Sequence, residues 1–150
     1  KELSDHLMLF FTGISRFSSD VAESQISNMK NCSSQMYELQ DMVEEGSSIL
    51  SNSNISLEEF GKLLDRAWQN KRSLSHMITN TKIDDLYNAA IKAGALGGKV
   101  LGAGGGGFVL FFVKPEHQKK VKTALSSLTH VPFTFENTGS KVVVYQPNGF

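Results

Sequence analysis

The stretch KVLGAGGGGFVLFFV, Lys99 to Val113, places five glycines in the six positions from Gly102 to Gly107 and follows them with an apolar run. Glycine loses more backbone entropy on folding than any other residue, so a cluster this dense needs a structural or chemical reason. Consecutive glycines let several backbone N–H groups converge on one anion with no Cβ in the way. The alternative interpretation is a tight turn between two elements. The stretch predicts a loop that leads into a buried strand over 108–113 and favours an anion as its ligand.

Three familiar phosphate-loop patterns do not fit this stretch. Gly102, Gly104 and Gly107 spell G-x-G-x-x-G, but the dinucleotide fingerprint needs a helix after its last glycine, and a strand follows here. The protein-kinase pattern G-x-G-x-x-G-x-V is matched as far as Val109, yet the chain contains neither H-R-D nor D-F-G. The Walker pattern fails because Phe108 stands where its lysine belongs. The stretch is therefore not a dinucleotide-binding, protein-kinase or Walker-type phosphate loop.

Before the loop, the sequence predicts one strand and a long helical region. The strand covers 6–12 (HLMLFFT) and ends at Gly13. Apolar residues then recur at three- and four-residue steps, which indicates an amphipathic helix, or two with a break near 31–34. We expect a loop over 47–54.

Two further helices carry their own start and stop signals. Ser56 and Glu59 have the spacing of a capping box, and the apolar positions that follow run as far as Ile78. Thr81 is the predicted N-cap of a shorter helix that ends at Gly94. After the glycine loop, Pro115 is expected in the first turn of another helix.

The last two predicted strands lie over 131–135 and 141–145, joined by a turn that contains Asn137 and Gly139. The order is therefore one strand, several helices, a strand, a helix and two strands. Helices grouped between strands favour an α+β fold, with helices packed on one face of a small antiparallel sheet.

Composition limits the classes of partner. The chain has 150 residues, enough for one domain with a core, and 15 basic against 15 acidic residues. No broad field favours nucleic acid or an anionic membrane, and no apolar run approaches the roughly 20 residues of a membrane span. The single cysteine, Cys32, excludes an internal disulfide and favours a reducing, cytoplasmic setting. Because residue 1 is a lysine, we expect the chain to start partway through a longer protein.

Two basic residues outside the loop are candidate anion contacts. Lys71 continues the apolar face of its helix, so its ammonium either extends out to water or meets an anion. Arg16 follows the first strand, where a guanidinium suits a bidentate phosphate contact; an ion pair with Asp20 is the alternative. Thr12 and Gly13 are weaker candidates beside Arg16. Lys99 precedes the loop and is either a phosphate contact or an ordinary lysine at a strand edge.

The glycine stretch resembles the third, glycine-rich signature of the GHMP kinases. Three further runs are similar to the carboxy-terminal half of the sugar-phosphate branch of that family: LFFTGISRFSSDVAESQ, LEEFGKLLDRAWQNKRSLS and VPFTFENTGSKVVVY. The resemblance implies a ferredoxin-like domain with a four-stranded antiparallel sheet, and a boundary of 1–150 for that domain. It also implies that Gly102, Ala103, Gly104, Gly105, Gly106 and Gly107 bind a phosphate, with Arg16, Lys71, Thr12 and Gly13 on the sugar phosphate.

In this family the active site lies between two domains. The amino-terminal domain carries the main ATP loop, G-L-G-S-S-A, with the acidic catalytic and Mg²⁺-binding residues, and no such stretch occurs here. The resemblance therefore implies that ATP and Mg²⁺ are held mainly by a domain outside this chain. We expect no catalytic or metal-binding residue in the chain and no activity from the chain alone.

The implied reaction of the intact enzyme is phosphoryl transfer from ATP to the anomeric hydroxyl of heptose 7-phosphate. The alternatives are a fucose, mevalonate-pathway or homoserine kinase of the same family, or a ligand-binding module without chemistry. The expected partners are the sugar phosphate, ATP and the chain's own amino-terminal domain. An interdomain face would leave an apolar patch exposed, which is compatible with a homodimer.

Overall fold

A four-stranded antiparallel sheet in the order β2-β3-β1-β4 organises the fold. The structure, a computed structural model, describes residues 2–145. In chain order the elements are α1 (Glu2–Asp5), β1 (Leu7–Phe11), α2 (Ser18–Asn28), a 3-10 turn (Met29–Asn31), α3 (Ser33–Ser51), α4 (Glu58–Ser73), α5 (Thr81–Ala93), β2 (Ala95–Val100), β3 (Phe108–Val113), α6 (Pro115–Ala124) and β4 (Thr129–Val131). The predicted α+β class, with a four-stranded antiparallel sheet, is confirmed.

The central strands β1 and β3 pair in one continuous register, from Leu7 opposite Phe112 to Phe11 opposite Phe108. β4 extends the sheet on the far side of β1, and β2 pairs with β3 at the other edge. The glycine stretch is thus the connection between β2 and β3. It lies at the same end of the sheet as the segment that follows β1, because Phe11 and Phe108 are partners.

The last two predicted strands differ from the structure. The strand expected over 131–135 lies instead at Thr129–Val131. The strand expected over 141–145 is not formed: these residues adopt no regular strand, and Val142 to Val144 are 74–83% exposed. The fourth strand of the sheet is β2 instead. Its sequence, ALGGKV, contains two glycines and is more typical of a loop than of a strand. Those glycines are required: a Cβ on Gly97 would overlap the backbone of α4 at Gly61, and one on Gly98 would lie 2.5 Å from the Leu110 carbonyl.

The core forms where the sheet meets α4 and α5. Phe10 and Phe111 are fully buried, and Tyr87 of α5 lies against Phe111 with ring centroids 5.6 Å apart. Trp68 of α4 is also fully buried and packs beside Tyr87. Tyr87 donates a hydrogen bond to Asp65 Oδ1 at 2.6 Å, which ties α5 to α4.

Several predicted boundaries shift by a few residues. The helical break is confirmed as the 3-10 turn before Cys32, but α3 then runs to Ser51, so the loop predicted from residue 47 begins later. The Ser56 hydroxyl accepts from Glu58 N rather than forming the predicted capping box. The N-cap of α5 is Asn80, one residue before the predicted Thr81, because the Asn80 side chain accepts from Ile83 N.

The helix ends nearest the site are set by local geometry. α4 stops at Ser73, so Ile78, predicted on its apolar face, lies in the following turn, although it is fully buried there. The predicted end of α5 at Gly94 is confirmed, with a left-handed φ of 113°. Within residues 2–145 no helix has the length and apolar character needed to cross a membrane.

Candidate functional site

The glycine loop packs against two other segments of the chain. One is the stretch after β1 that contains Ile14, and the other is the turn after α4 that contains Ile78. A Cβ on Gly106 would lie 2.5 Å from the Ile14 carbonyl oxygen, and one on Gly104 would lie 2.8 Å from the Ile78 carbonyl oxygen. The loop therefore approaches both segments more closely than any residue with a side chain could.

The loop backbone also needs glycine for its conformation. Gly102, Gly104, Gly105 and Gly107 have φ between 69° and 106°, where L-residues with a Cβ are strained. Gly106 is outside that region and is required by close approach alone. Ala103, the one loop residue with a Cβ, has no such φ.

Side chains from four parts of the chain hold the loop carbonyls: the stretch after β1, α2, α4 and the turn after α4. Five of the six carbonyls from residue 102 to residue 107 accept a side-chain hydrogen bond. The pairs are Gly102 with Lys71 Nζ (2.5 Å), Ala103 with Gln25 Nε2 (2.8 Å), Gly104 with Arg16 Nε, Gly105 with Asn80 Nδ2 (3.3 Å) and Gly107 with Thr12 Oγ1 (2.8 Å). The negative ends of these peptide dipoles are thereby directed toward the protein.

In contrast to the carbonyls, most of the loop amides have no hydrogen-bond partner among the described residues. Gly105 N donates to Ile78 O at 2.6 Å, and Gly107 N donates to Ile14 O at 3.1 Å. The N–H groups of Gly102, Ala103, Gly104 and Gly106 have no acceptor within residues 2–145. Gly104 and Gly106 are buried, and a buried N–H without a partner costs about 1–3 kcal/mol. A set of such donors is what an anion-binding loop provides.

Three cations surround this set of donors. Burial lowers the pKa of the Lys71 ammonium below its ordinary value, and the positive charges of Lys99 and Arg16 lower it further. None of these three side chains forms an ion pair with a carboxylate among the described residues. Like charges held together without a carboxylate favour an anion between them.

Of the predicted residues outside the loop, Thr12, Arg16 and Lys71 lie at the loop, whereas Gly13 does not contact it by a hydrogen bond. Lys71 and Arg16, expected to point at a ligand, donate to loop carbonyls in this structure. Arg16 does not pair with Asp20; Asp20 instead accepts a hydrogen bond from Ser19. Gly13 has φ 69° and no hydrogen bond to the loop, so its place is in the turn that ends β1.

Gln25 and Asn80 also hold the loop, and neither is predicted from the sequence. Gln25 lies on α2 with no distinguishing spacing, and only the fold brings it within 2.8 Å of Ala103 O. Asn80 did have a signal, since an asparagine before the first turn of a helix is a preferred N-cap. Its Oδ1 caps α5, which leaves Nδ2 free to reach the Gly105 carbonyl.

The donor set around the loop does not fit a divalent metal. Mg²⁺ prefers carboxylate and other oxygen ligands, whereas the side chains that converge here are cationic or amide. Over residues 2–145 no group of three or more His, Cys, Asp or Glu side chains is placed to hold a metal ion.

Comparison with known proteins identifies relatives of this chain. Residues 49–130 match the family model described as GHMP kinases C terminal. The chain is 28% identical over 127 residues to the D-glycero-alpha-D-manno-heptose 7-phosphate kinase of Campylobacter jejuni, which is 83% of this chain and 37% of that protein. It is 35% identical over 98 residues to the mevalonate kinase of Thermococcus gammatolerans, 63% of this chain and 28% of that protein.

Solved structures give the same architecture. The mevalonate kinase of Methanococcus jannaschii superposes with a TM-score of 0.71 at 21% identity, over 87% of this chain and 40% of that one. At that identity the likeness concerns the fold alone. The chain thus spans well under half the length of each of these three relatives.

Proposed function

Because this chain belongs to the GHMP kinases, through their carboxy-terminal domain, we propose that it forms the acceptor-binding half of an ATP-dependent kinase. The proposed acceptor is heptose 7-phosphate, and the proposed reaction transfers the γ-phosphoryl group of ATP to its anomeric hydroxyl. The 28% identity to the Campylobacter jejuni heptose 7-phosphate kinase over 83% of the chain supports this acceptor. The free, buried Cys32 is compatible with a cytoplasmic kinase.

The observation that carries the proposal is the polarity of the glycine loop. Five of its six carbonyls accept hydrogen bonds from side chains. Four of its amides have no partner among the described residues, and three cations stand around it. Phosphoryl transfer depends mainly on positioning and on neutralising charge on the phosphate oxygens. The loop is built to do both for a phosphate, whether that of the acceptor or the group in transfer.

The residues present fit a phosphate group of the substrates and do not fit Mg²⁺. We therefore assign to this chain the tasks of binding and orienting a phosphate through Gly102 to Gly107, with Arg16 and Lys71. The Mg²⁺ and most of the ATP belong, in this proposal, to an amino-terminal domain outside the sequence. The chain alone is then expected to show no ATP-dependent turnover, and to regain turnover when that domain is supplied.

A mevalonate-type acceptor is the second candidate. The 35% identity to the Thermococcus gammatolerans mevalonate kinase is higher than the identity to the heptose 7-phosphate kinase, although over a shorter part of the chain. A carboxylate acceptor would also be attracted by Arg16 and Lys71. Direct binding measurements distinguish the two candidates.

Isothermal titration of the chain with four ligands tests the proposal: heptose 7-phosphate, unphosphorylated heptose, mevalonate and inorganic phosphate. We expect heptose 7-phosphate to bind most tightly and unphosphorylated heptose not to bind. Charge-assisted hydrogen bonds contribute about 1.5–3 kcal/mol, so Arg16→Ala is expected to weaken binding about tenfold or more.

The matched control is Arg72→Ala. Arg72 lies next to Lys71 in sequence but pairs with Asp84 at 2.9 Å and donates no hydrogen bond to the loop. This variant is expected to bind heptose 7-phosphate as the unchanged chain does. Equal binding of heptose and its 7-phosphate would contradict the proposal, and tighter binding of mevalonate would favour the second candidate.

A further inference from the structure

A cavity of about 240 Å³ lies beside the glycine loop, between the α2–α3 region and α4. Most of its walls are apolar side chains, namely Met29, Met36, Leu39 and Leu74. Liquid water occupies about 30 Å³ per molecule, so the cavity has room for a group of several carbon atoms. A polyhydroxylated sugar is a poor occupant, because its hydroxyls would face methionine and leucine without hydrogen-bond partners.

One end of this cavity is polar and lies on the side of the glycine loop. Two polar side chains line it, Gln25 and Lys71, and each donates a hydrogen bond to a loop carbonyl. Gln25 Nε2 lies 2.8 Å from Ala103 O, and Lys71 Nζ lies 2.5 Å from Gly102 O. The amides of Gly102 and Ala103 are among those without an acceptor in the described part of the chain. Cavity and loop are therefore separated by the side chains of Gln25 and Lys71, which a ligand reaching from the cavity to the loop would displace from these carbonyls.

The charge at that end favours an anion. Lys71 stands close enough to Lys99 and Arg16 for their charges to lower its pKa, and the described ion pairs include none of the three. An apolar cavity that opens onto such a cluster is complementary to a molecule with an apolar body and one anionic end.

We propose that this cavity holds the apolar body of a phosphate monoester whose phosphate binds at the glycine loop. This inference rests on the proposed function, since it uses the same anion site. It adds a second class of ligand: an amphipathic phosphate that competes with the sugar phosphate for the loop and so inhibits acceptor binding. Met36 and Leu39 would contact the body of that ligand, and Lys71 would contact its phosphate.

A series of inorganic, ethyl, butyl and hexyl phosphate tests the cavity directly. Burying one methylene corresponds to roughly a threefold to fourfold gain in affinity. We expect the affinity for the chain to rise by about that factor for each methylene until the cavity is filled. The methyl signals of Met29 and Met36 should shift with the alkyl phosphates and stay in place with inorganic phosphate. Hexyl phosphate should also displace heptose 7-phosphate.

The variant Met36→Gln keeps the length of the side chain but makes the cavity wall polar. Met36 is 39% exposed, so the substitution leaves the core intact. It is expected to remove most of the gain with chain length while inorganic phosphate binds as before. Tyr37→Gln, at a neighbouring position that is 69% exposed and outside the cavity lining, is the control and should retain the gain.

The outcomes separate this inference from the proposed function. Equal affinities for inorganic and hexyl phosphate would overturn the cavity proposal and leave the anion site of the loop standing. Binding of hexanol as tight as that of hexyl phosphate would overturn the link between cavity and loop. If no phosphate in the series bound, both proposals would be overturned.

Discussion

Alanine substitutions in the glycine loop separate two costs that the structure assigns to different positions. Gly102 has φ 69° and open space where a Cβ would be, so Gly102→Ala adds only backbone strain. Gly106 has no left-handed φ, but its Cβ would lie 2.5 Å from Ile14 O, so Gly106→Ala adds only a clash with backbone. Gly104 combines φ 106° with a Cβ position 2.8 Å from Ile78 O and therefore carries both costs.

The expected losses in the free energy of unfolding follow from these φ angles and distances. Left-handed backbone costs a residue with a Cβ about 1–2 kcal/mol, and overpacking against atoms that cannot move away costs about 1–3 kcal/mol. We expect Gly102→Ala to lower the free energy of unfolding by about 1 kcal/mol, and Gly104→Ala to lower it by about 3 kcal/mol. For a chain of this size each kcal/mol corresponds to about 2–4 °C in Tm.

Urea unfolding followed by the fluorescence of Trp68 measures all three variants. Trp68 is the only tryptophan and is fully buried, so its emission reports loss of the core. The midpoint should fall while the slope m stays constant. Gly102→Ala should be the least destabilised of the three, and Gly104→Ala the most. Equal losses for Gly102→Ala and Gly104→Ala would refute the loop geometry on which the site rests.

Two further predictions concern ionisable groups. Lys71→Met is expected to weaken phosphate binding about tenfold or more, and to change the free energy of unfolding at pH 7 by no more than about 1 kcal/mol. Burial and two neighbouring cations lower the pKa of Lys71 in the folded state, so the unfolded chain binds more protons at this group. The contribution of Lys71 to the free energy of unfolding therefore rises as the pH rises toward 10.5. Urea titrations of both chains at pH 7 and pH 9.5 should show this trend, and a variant that bound phosphate normally would contradict the role of Lys71. Tyr87→Phe removes the hydrogen bond to Asp65 and should lower the free energy of unfolding by about 1–2 kcal/mol below pH 10. Because burial raises the pKa of Tyr87 in the folded state, the contribution of its hydroxyl to stability should fall above pH 10. A difference in stability between the two chains that did not change with pH would contradict this prediction.

The fold class could be predicted from local signals, but the membership of the sheet could not. Apolar runs marked β1 and β3, and Gly94 marked the end of α5. β2 has no such signal, because its two glycines reflect the close approach of α4 and the neighbouring strand rather than a turn. Conversely, the run of valines at Val142 to Val144 has high strand propensity, yet no neighbouring strand pairs with it in the described structure.

The candidate site could likewise be predicted from the sequence only in part. The glycine loop, Arg16 and Lys71 are visible in sequence because their residue types are unusual for their positions. Which carbonyls they hold, and which amides that leaves free, depends on the approach of segments far apart in the chain. Gln25 is the clearest case: it lies 78 positions from Ala103 in sequence, and only the packing of α2 brings it to the loop.

The most direct test of the anion site is an amide map of the loop. A ¹⁵N-labelled chain is titrated with inorganic phosphate, and the N–H signals of residues 102 to 107 are followed. We predict that the signals of Gly102, Ala103, Gly104 and Gly106 shift, whereas those of Gly105 and Gly107, already bonded to Ile78 O and Ile14 O, stay in place. Equal shifts at all six positions, or none at any, would contradict the account.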